Sequence, residues 1–207
     1  MNIDPSDVQA LFARHYFYFA ALATLGTLQI AVATGGHRGL WLTPSRNATR
    51  LIGILLICAG IALFFLMPLW VEGPWATGSV AADSATREWG KANWQDLGAA
   101  RNVNDINGGL SGTGQATWFP LGALIAFVVS VGAGTANRKL FPGRMNQPVE
   151  RPDGTDGIAL TATHSYFDAL KISWRRFRVE LPSEASRLLA LSDRWSISVA
   201  IWRRFHR

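Results

Sequence analysis

Residues 51–71 read LIGILLICAGIALFFLMPLWV, a run of twenty-one positions without a single charge. A helix needs about 20 apolar residues to cross a hydrocarbon layer roughly 30 Å thick, so this stretch alone moves the chain out of the soluble class. Two further windows have the same character: residues 16–34, YFYFAALATLGTLQIAVAT, and residues 116–136, ATWFPLGALIAFVVSVGAGTA. The mean hydropathy of the whole chain is only +0.13, because the apolar residues are bunched rather than scattered. The pattern predicts an all-α integral membrane fold with three transmembrane helices, an extracytoplasmic loop and a basic, interfacial helical cytoplasmic tail.

The divisions that follow are 1–15 as an extracytoplasmic N-terminus, 16–34 as the first span, 35–50 as a cytoplasmic loop and 51–71 as the second span. Residues 72–115 then form an extracytoplasmic loop, 116–136 the third span, 137–160 a linker and 161–207 the basic amphipathic tail. Charge sets the direction. Residues 35–50 hold Arg38, Arg46 and Arg50 with no acid, and 13 of the 20 Lys and Arg follow Ala136. The 72–115 loop has Arg87, Lys91 and Arg101 against five acids. Loops rich in bases near span ends stay in the cytoplasm, which predicts a bacterial plasma (inner) membrane protein with the N-terminus outside and the C-terminus inside. The net charge of +6 is thus a topology signal before it is a nucleic-acid signal, and nucleic acid is disfavoured as a partner. Ala31-Val32-Ala33 resembles a signal-peptide cleavage site, but Asp4 and Asp7 replace a basic leader, and cleavage would reverse the charge asymmetry. The sequon Asn47-Ala48-Thr49 falls on the cytoplasmic side and reads as chance.

Aromatic placement suits these spans. Trp70, Trp75, Trp118 and Phe119 fall at the outer interface, Trp41 and Phe141 at the inner one, and Pro120 is expected in the first turn of the third helix. That helix carries Gly122, Ala126, Ser130 and Gly134, small residues four apart that let another backbone come close. Gly53 and Gly60 of the second span offer an internal counterpart. Gln29 is the strongly polar side chain at depth and reads as interhelical glue, and the single Cys58 as small apolar filler.

Catalytic motifs are missing from the pattern, and no resident cofactor or metal site is expected. None of the three windows contains Asp, Glu, His, Lys or Arg, although transporters and proton relays place such residues at membrane depth. His15, at the mouth of the first span beside Arg14 and Tyr16, is the one candidate ligand for a haem or chlorophyll metal, with an interfacial ring as the plainer reading. His37, His164 and His206 are isolated in polar surroundings. Residues 102–109, NVNDINGG, have the look of a calcium loop without its alternating Asp pattern or closing Glu, and 108–114 lack the ending of a phosphate loop. Ser84 to Ala100, with Trp89, Trp94 and Leu97 at helical spacing, predicts a helix lying over the membrane.

The tail repeats a cluster: Trp174, Arg175, Arg176 and Phe177 return as Trp202, Arg203, Arg204 and Phe205. In the first copy, Tyr166, Leu170, Trp174 and Phe177 share a helical face with Lys171, Arg175 and Arg178 beside it, which suits a helix in the headgroup region. Pro182-Ser183 is expected to break and recap the tail. Both clusters are contact surfaces for other membrane-protein subunits or for anionic lipid headgroups. The leading functional expectation is a non-catalytic accessory or assembly subunit of a larger bacterial membrane complex, respiratory or photosynthetic in kind. The alternatives are a cofactor-carrying subunit using His15, and a membrane anchor whose tail binds lipid or nucleic acid.

Overall fold

The computed structural model describes residues 5–76, 88–95, 97, 112–145 and 157–179. Within them the regular structure is helical apart from one small antiparallel pairing. Helix α1 covers Pro5–Gly35, α2 Arg46–Phe65 and α3 Gly112–Leu140. All three are long and apolar enough to cross a membrane, so the protein is a membrane-embedded, multi-pass chain.

Helix α1 is the middle of the bundle, with α2 and α3 packed on different sides of it. Small residues make both seams. On the α2 side, Gly26 and Gly53 bring their backbones together, and Gly60 lies against Leu22 and Ala23. On the α3 side, Gly122 lies against Ala20 and Ala21. The four residues of the α3 stripe, Gly122, Ala126, Ser130 and Gly134, are all buried. The stripe faces α1 and the α1–α2 loop, whereas Gly53 and Gly60 face α1 from the other side. The glycines of α2 are therefore not the counterpart of the stripe. Without a hydrophobic drive between helices in lipid, such close backbone approach is what associates them. The outward faces carry Leu51, Ile54, Leu55 and Ile61 on α2, and Leu121, Leu124, Ile125, Val128 and Val129 on α3, all exposed.

Several local expectations are corrected. Helix α3 begins four residues before the charge-free window, so Pro120 stands inside the helix rather than in its first turn. A proline there removes the bond to the carbonyl four residues back, a loss of roughly 3 kcal/mol in a helix interior that membrane helices accept when neighbours compensate. In the 72–115 loop, Glu88–Gly90 is a strand (β2) rather than helix, paired antiparallel with Gly73–Ala76 (β1). Gly90 disfavours helix, and the ladder satisfies backbone groups that one short helical turn would leave open. Beyond it, the Ala92 amide donates to the Pro68 carbonyl at 2.8 Å, and Ala92 is buried with Leu11, Phe12 and Met67. Rings crowd this end of the bundle: Tyr16, Phe19 and Phe65 surround Phe64, and Phe17 meets Trp118 edge-on at 6.0 Å. Phe119 and Trp70 are exposed.

At the opposite end, α3 runs on to Leu140 and a short helix, α4, covers Pro142–Met145, so the first residues assigned to the linker are helical. Gly157–Ala162 is a 3-10 helix and residues 166–179 form a helix, α5. Ser165 caps α5: its hydroxyl donates to the Asp168 carboxylate at 2.6 Å and accepts the Asp168 amide at 3.2 Å. The NVNDINGG segment and the second cluster, Trp202 to Phe205, lie outside the described residues, as do Pro182 and Ser183.

The α3 stripe makes a direct prediction. A side chain at Gly134 would overlap the Gly39 carbonyl, whereas Val128 is exposed on the outer face. Gly134→Leu is expected to lower stability by several kcal/mol in unfolding titrations in mixed micelles, and Val128→Leu to stay within roughly 0.5 kcal/mol. Equal effects at the two positions would show the stripe to be incidental.

Candidate functional site: a loop held between the helices

The loop joining α1 to α2 does not stay at the surface. It folds inward between α1 and α3, and a closed set of hydrogen bonds holds it there. Helix α1 ends at Gly35 and is followed by Gly36, whose φ of 79° is the left-handed conformation glycine adopts without strain. The His37 amide returns to the Val32 carbonyl at 2.8 Å, the long bond of a Schellman cap. Side chains share that carbonyl and take the next two. Trp41 Nε1 donates to Val32 at 3.0 Å, Arg46 Nε to Ala33 at 2.9 Å and Arg46 Nη2 to Thr34 at 3.1 Å. The guanidinium thus sits at the negative end of the helix dipole. Trp41 is only 5% exposed, which corrects the expectation of an interfacial ring: the folded-back loop makes it core, and its N–H finds a partner on α1.

Below this cap lies the polar centre of the bundle. Gln29 and Ser130 have no exposed surface. Gln29 Nε2 donates to the Leu40 carbonyl at 3.2 Å and to Ser130 Oγ at 2.9 Å, while its Oε1 accepts the Leu42 amide at 2.9 Å. Ser130 Oγ in turn donates to the Leu40 carbonyl at 2.6 Å. Both lone pairs of that carbonyl and both amide protons of Gln29 are used. One level towards the loop end, Asn137 Nδ2 donates to the Trp41 carbonyl at 2.9 Å. Thr49, fully buried, donates to the Thr43 carbonyl at 3.2 Å. Non-helical backbone at this depth is tolerated only when the protein satisfies it, and these side chains do so.

The segment after α3 closes the loop from its far side. Gly39 meets the His164 and Thr161 carbonyls so closely that a side chain has no room, and Arg138 Nη1 donates to the Thr163 carbonyl at 2.6 Å. Thr161 gives its only hydroxyl proton to the Ile158 carbonyl at 2.6 Å, so in its 3.2 Å contact with His37 the ring nitrogen Nδ1 is the donor. Tyr166 then packs edge-on against Phe127 of α3 at 5.1 Å.

The other sequence-derived candidates fall as follows. His15 lies in the third turn of α1, 8% exposed, with Nδ1–H donating to the Leu11 carbonyl at 2.8 Å and Tyr18 edge-on at 6.4 Å. Among the described residues no three His, Cys, Asp or Glu groups converge on a metal-sized space. Trp174 stacks with Phe177 at 5.9 Å and carries the Arg178 guanidinium over its face at 5.6 Å, while Arg175 and Arg176 are exposed. Sequence reading singled out Gln29 and Ser130 separately and missed Asn137, Trp41 and Arg46 as members of one cluster. The signal was in their type alone, amide, hydroxyl and indole donors, because Ser130 and Asn137 lie 90 and 96 positions from the loop residues they bond. No family model, curated protein or solved structure matches the chain.

Because Gln29 and Ser130 share the Leu40 carbonyl, their contributions are coupled. Gln29→Leu leaves the Leu42 amide unpaired and is expected to cost about 1–3 kcal/mol. In a double-mutant cycle with Ser130→Ala, the coupling energy is expected at roughly 0.5–2 kcal/mol. Strict additivity would show that the two residues act independently.

Proposed function

We propose that this chain is a non-catalytic accessory or assembly subunit of a larger bacterial membrane complex. The observation that carries the reading is that the two buried polar side chains at membrane depth, Gln29 and Ser130, are spent on the chain's own loop. Gln29 and Ser130 hold the Leu40 and Leu42 backbone, leaving neither an open amide nor an ionisable group in that centre to take up a substrate or proton. What the molecule offers instead is surface. Apolar faces on α2 and α3 look outward, and α5 presents Phe167, Leu170, Trp174 and Phe177. The docking of residues 157–166 on the loop fixes where α5 begins, so its aromatic face is held in position for a partner rather than trailing on a linker.

The orientation proposed with this reading puts the loop end in the cytoplasm. Its support is that Arg38 of the loop, Arg46 and Arg50 at the start of α2, Arg138 and Lys139 at the end of α3 and Arg144 of α4 gather at one end of the bundle with no acid among them, while the other end carries Glu72 together with Arg14 and Lys91.

A second reading has one specific observation in its favour. The Leu11 carbonyl fixes the proton of His15 on Nδ1, so the neutral ring carries its lone pair on Nε2, the arrangement found in metal-bound histidines whose other nitrogen donates to a carbonyl. A pigment or haem band in the absorption spectrum of protein purified from native membranes, lost in His15→Ala, would favour it.

Two measurements check the main proposal. Extraction in mild detergent is expected to yield the chain together with stoichiometric partner chains, and a chain that migrates alone from native membranes would sink the subunit reading. In a Cys58→Ser background, Ser84→Cys is expected to be labelled from outside intact cells, and Ser45→Cys only after permeabilisation. The reverse pattern would invert the orientation.

A further inference from the structure

Between the Gly157–Ala162 turn and α5 runs a half-open groove of about 260 Å³, floored by Phe127 of α3. Its walls are Ile158, Tyr166, Ala169 and Leu170. Of the three hydroxyl-bearing residues that line it, Thr161 and Ser173 have theirs engaged, and Tyr166 contributes its ring, packed edge-on against Phe127. Thr161 donates to the Ile158 carbonyl, and Ser173 accepts the Gly157 amide at 3.2 Å. The groove thus presents hydrocarbon to whatever enters it. Its volume falls below the roughly 300–1,000 Å³ of pockets that enclose a whole small molecule, and suits a length of flexible chain instead.

Charge indicates which chain. Helix α5 carries Lys171, Arg175, Arg176 and Arg178 against the single acid Asp168, whose carboxylate takes the Ser165 hydroxyl. Lys171, Arg175 and Arg178, at positions i, i+4 and i+7, form one edge of the helix, directly beside the Leu170 that lines the groove. Phe167 and Trp174 extend the apolar strip along the same side and are exposed. An apolar slot open beside a membrane span, bordered by a row of cations, is complementary to a molecule with an acyl chain and an anionic head.

We propose that the groove between Gly157–Ala162 and α5 holds one acyl chain of an anionic phospholipid, with its phosphate against the Lys171, Arg175 and Arg178 edge. The proposal rests on the membrane-embedded fold and not on the subunit reading. Each base near an anionic surface strengthens binding about fivefold, and three together give the site a preference for phosphatidylglycerol over phosphatidylcholine of the same chain length.

Native mass spectrometry of the full chain in mild detergent, titrated with each of these two lipids, tests it. The expected result is one phosphatidylglycerol adduct per chain, retained under activation that strips phosphatidylcholine. Lys171→Gln with Arg175→Gln is expected to reduce that preference at least tenfold while leaving chain uptake intact. Ala169→Phe, which fills the groove, and Leu170→Gln, which makes its wall polar at an exposed position, are both expected to abolish the retained adduct with unchanged helicity by circular dichroism. Should Ala169→Phe unfold the chain, Leu170→Gln decides alone. Equal retention of the two lipids, no retained adduct, or an adduct unaffected by Leu170→Gln would each overturn the proposal. Loss of a co-purifying protein in these variants without any change in lipid retention would assign the groove to a protein partner and overturn it as well.

Discussion

The peptide groups of residues 36–42 cannot lie unpaired among apolar helices, and the arrangement of the molecule follows from how they are satisfied. An unpaired backbone group in hydrocarbon costs several kcal/mol, far more than the small-residue contacts on either side could return. The Leu40 carbonyl answers this with two donors, Gln29 from α1 and Ser130 from α3, and the Leu42 amide returns to Gln29. A single amide side chain therefore ties the loop to α1 and, through Ser130, to α3.

The rest of the loop end is built on that constraint. With Leu40 drawn inward, Trp41 swings under the end of α1 and becomes core, and Gly39 is left between Gly134 on one side and the His164 carbonyl on the other. Only glycine fits where three backbones meet. The 157–165 segment can then close over the loop, and the tail acquires a fixed starting point. Arg46, the first residue of α2, has a local role as well, since it neutralises the carbonyl end of α1.

This arrangement separates two kinds of surface. The strongly polar groups at depth, Gln29 and Ser130, are turned inward and hydrogen-bonded, while the outward faces are mainly apolar on α2 and α3 and both apolar and cationic on α5. Such a division supports the proposed reading, in which the spans contact protein and the groove beside Phe127 takes lipid.

The sequence by itself determined the three spans, because crossing a bilayer depends on the length and uniformity of an apolar run and on nothing elsewhere in the chain. It also marked Gly122, Ala126, Ser130 and Gly134 as one packed stripe, because residues four apart share a helix face whatever the partner. Aromatic residues were less legible. Trp41 and Trp70 look alike in sequence, each at a span end, yet the first is buried and the second exposed, since only the path of the loop decides which ring meets water. The secondary structure of the 72–115 loop was misread at Glu88–Gly90, where pairing with a strand fifteen residues upstream outweighs the local spacing of Trp89 and Trp94. The polar centre was legible as separate residues and illegible as a site. Gln29, Ser130 and Asn137 lie up to about a hundred positions apart, and only the tertiary structure brings their hydrogen-bonding atoms to the backbone of one loop.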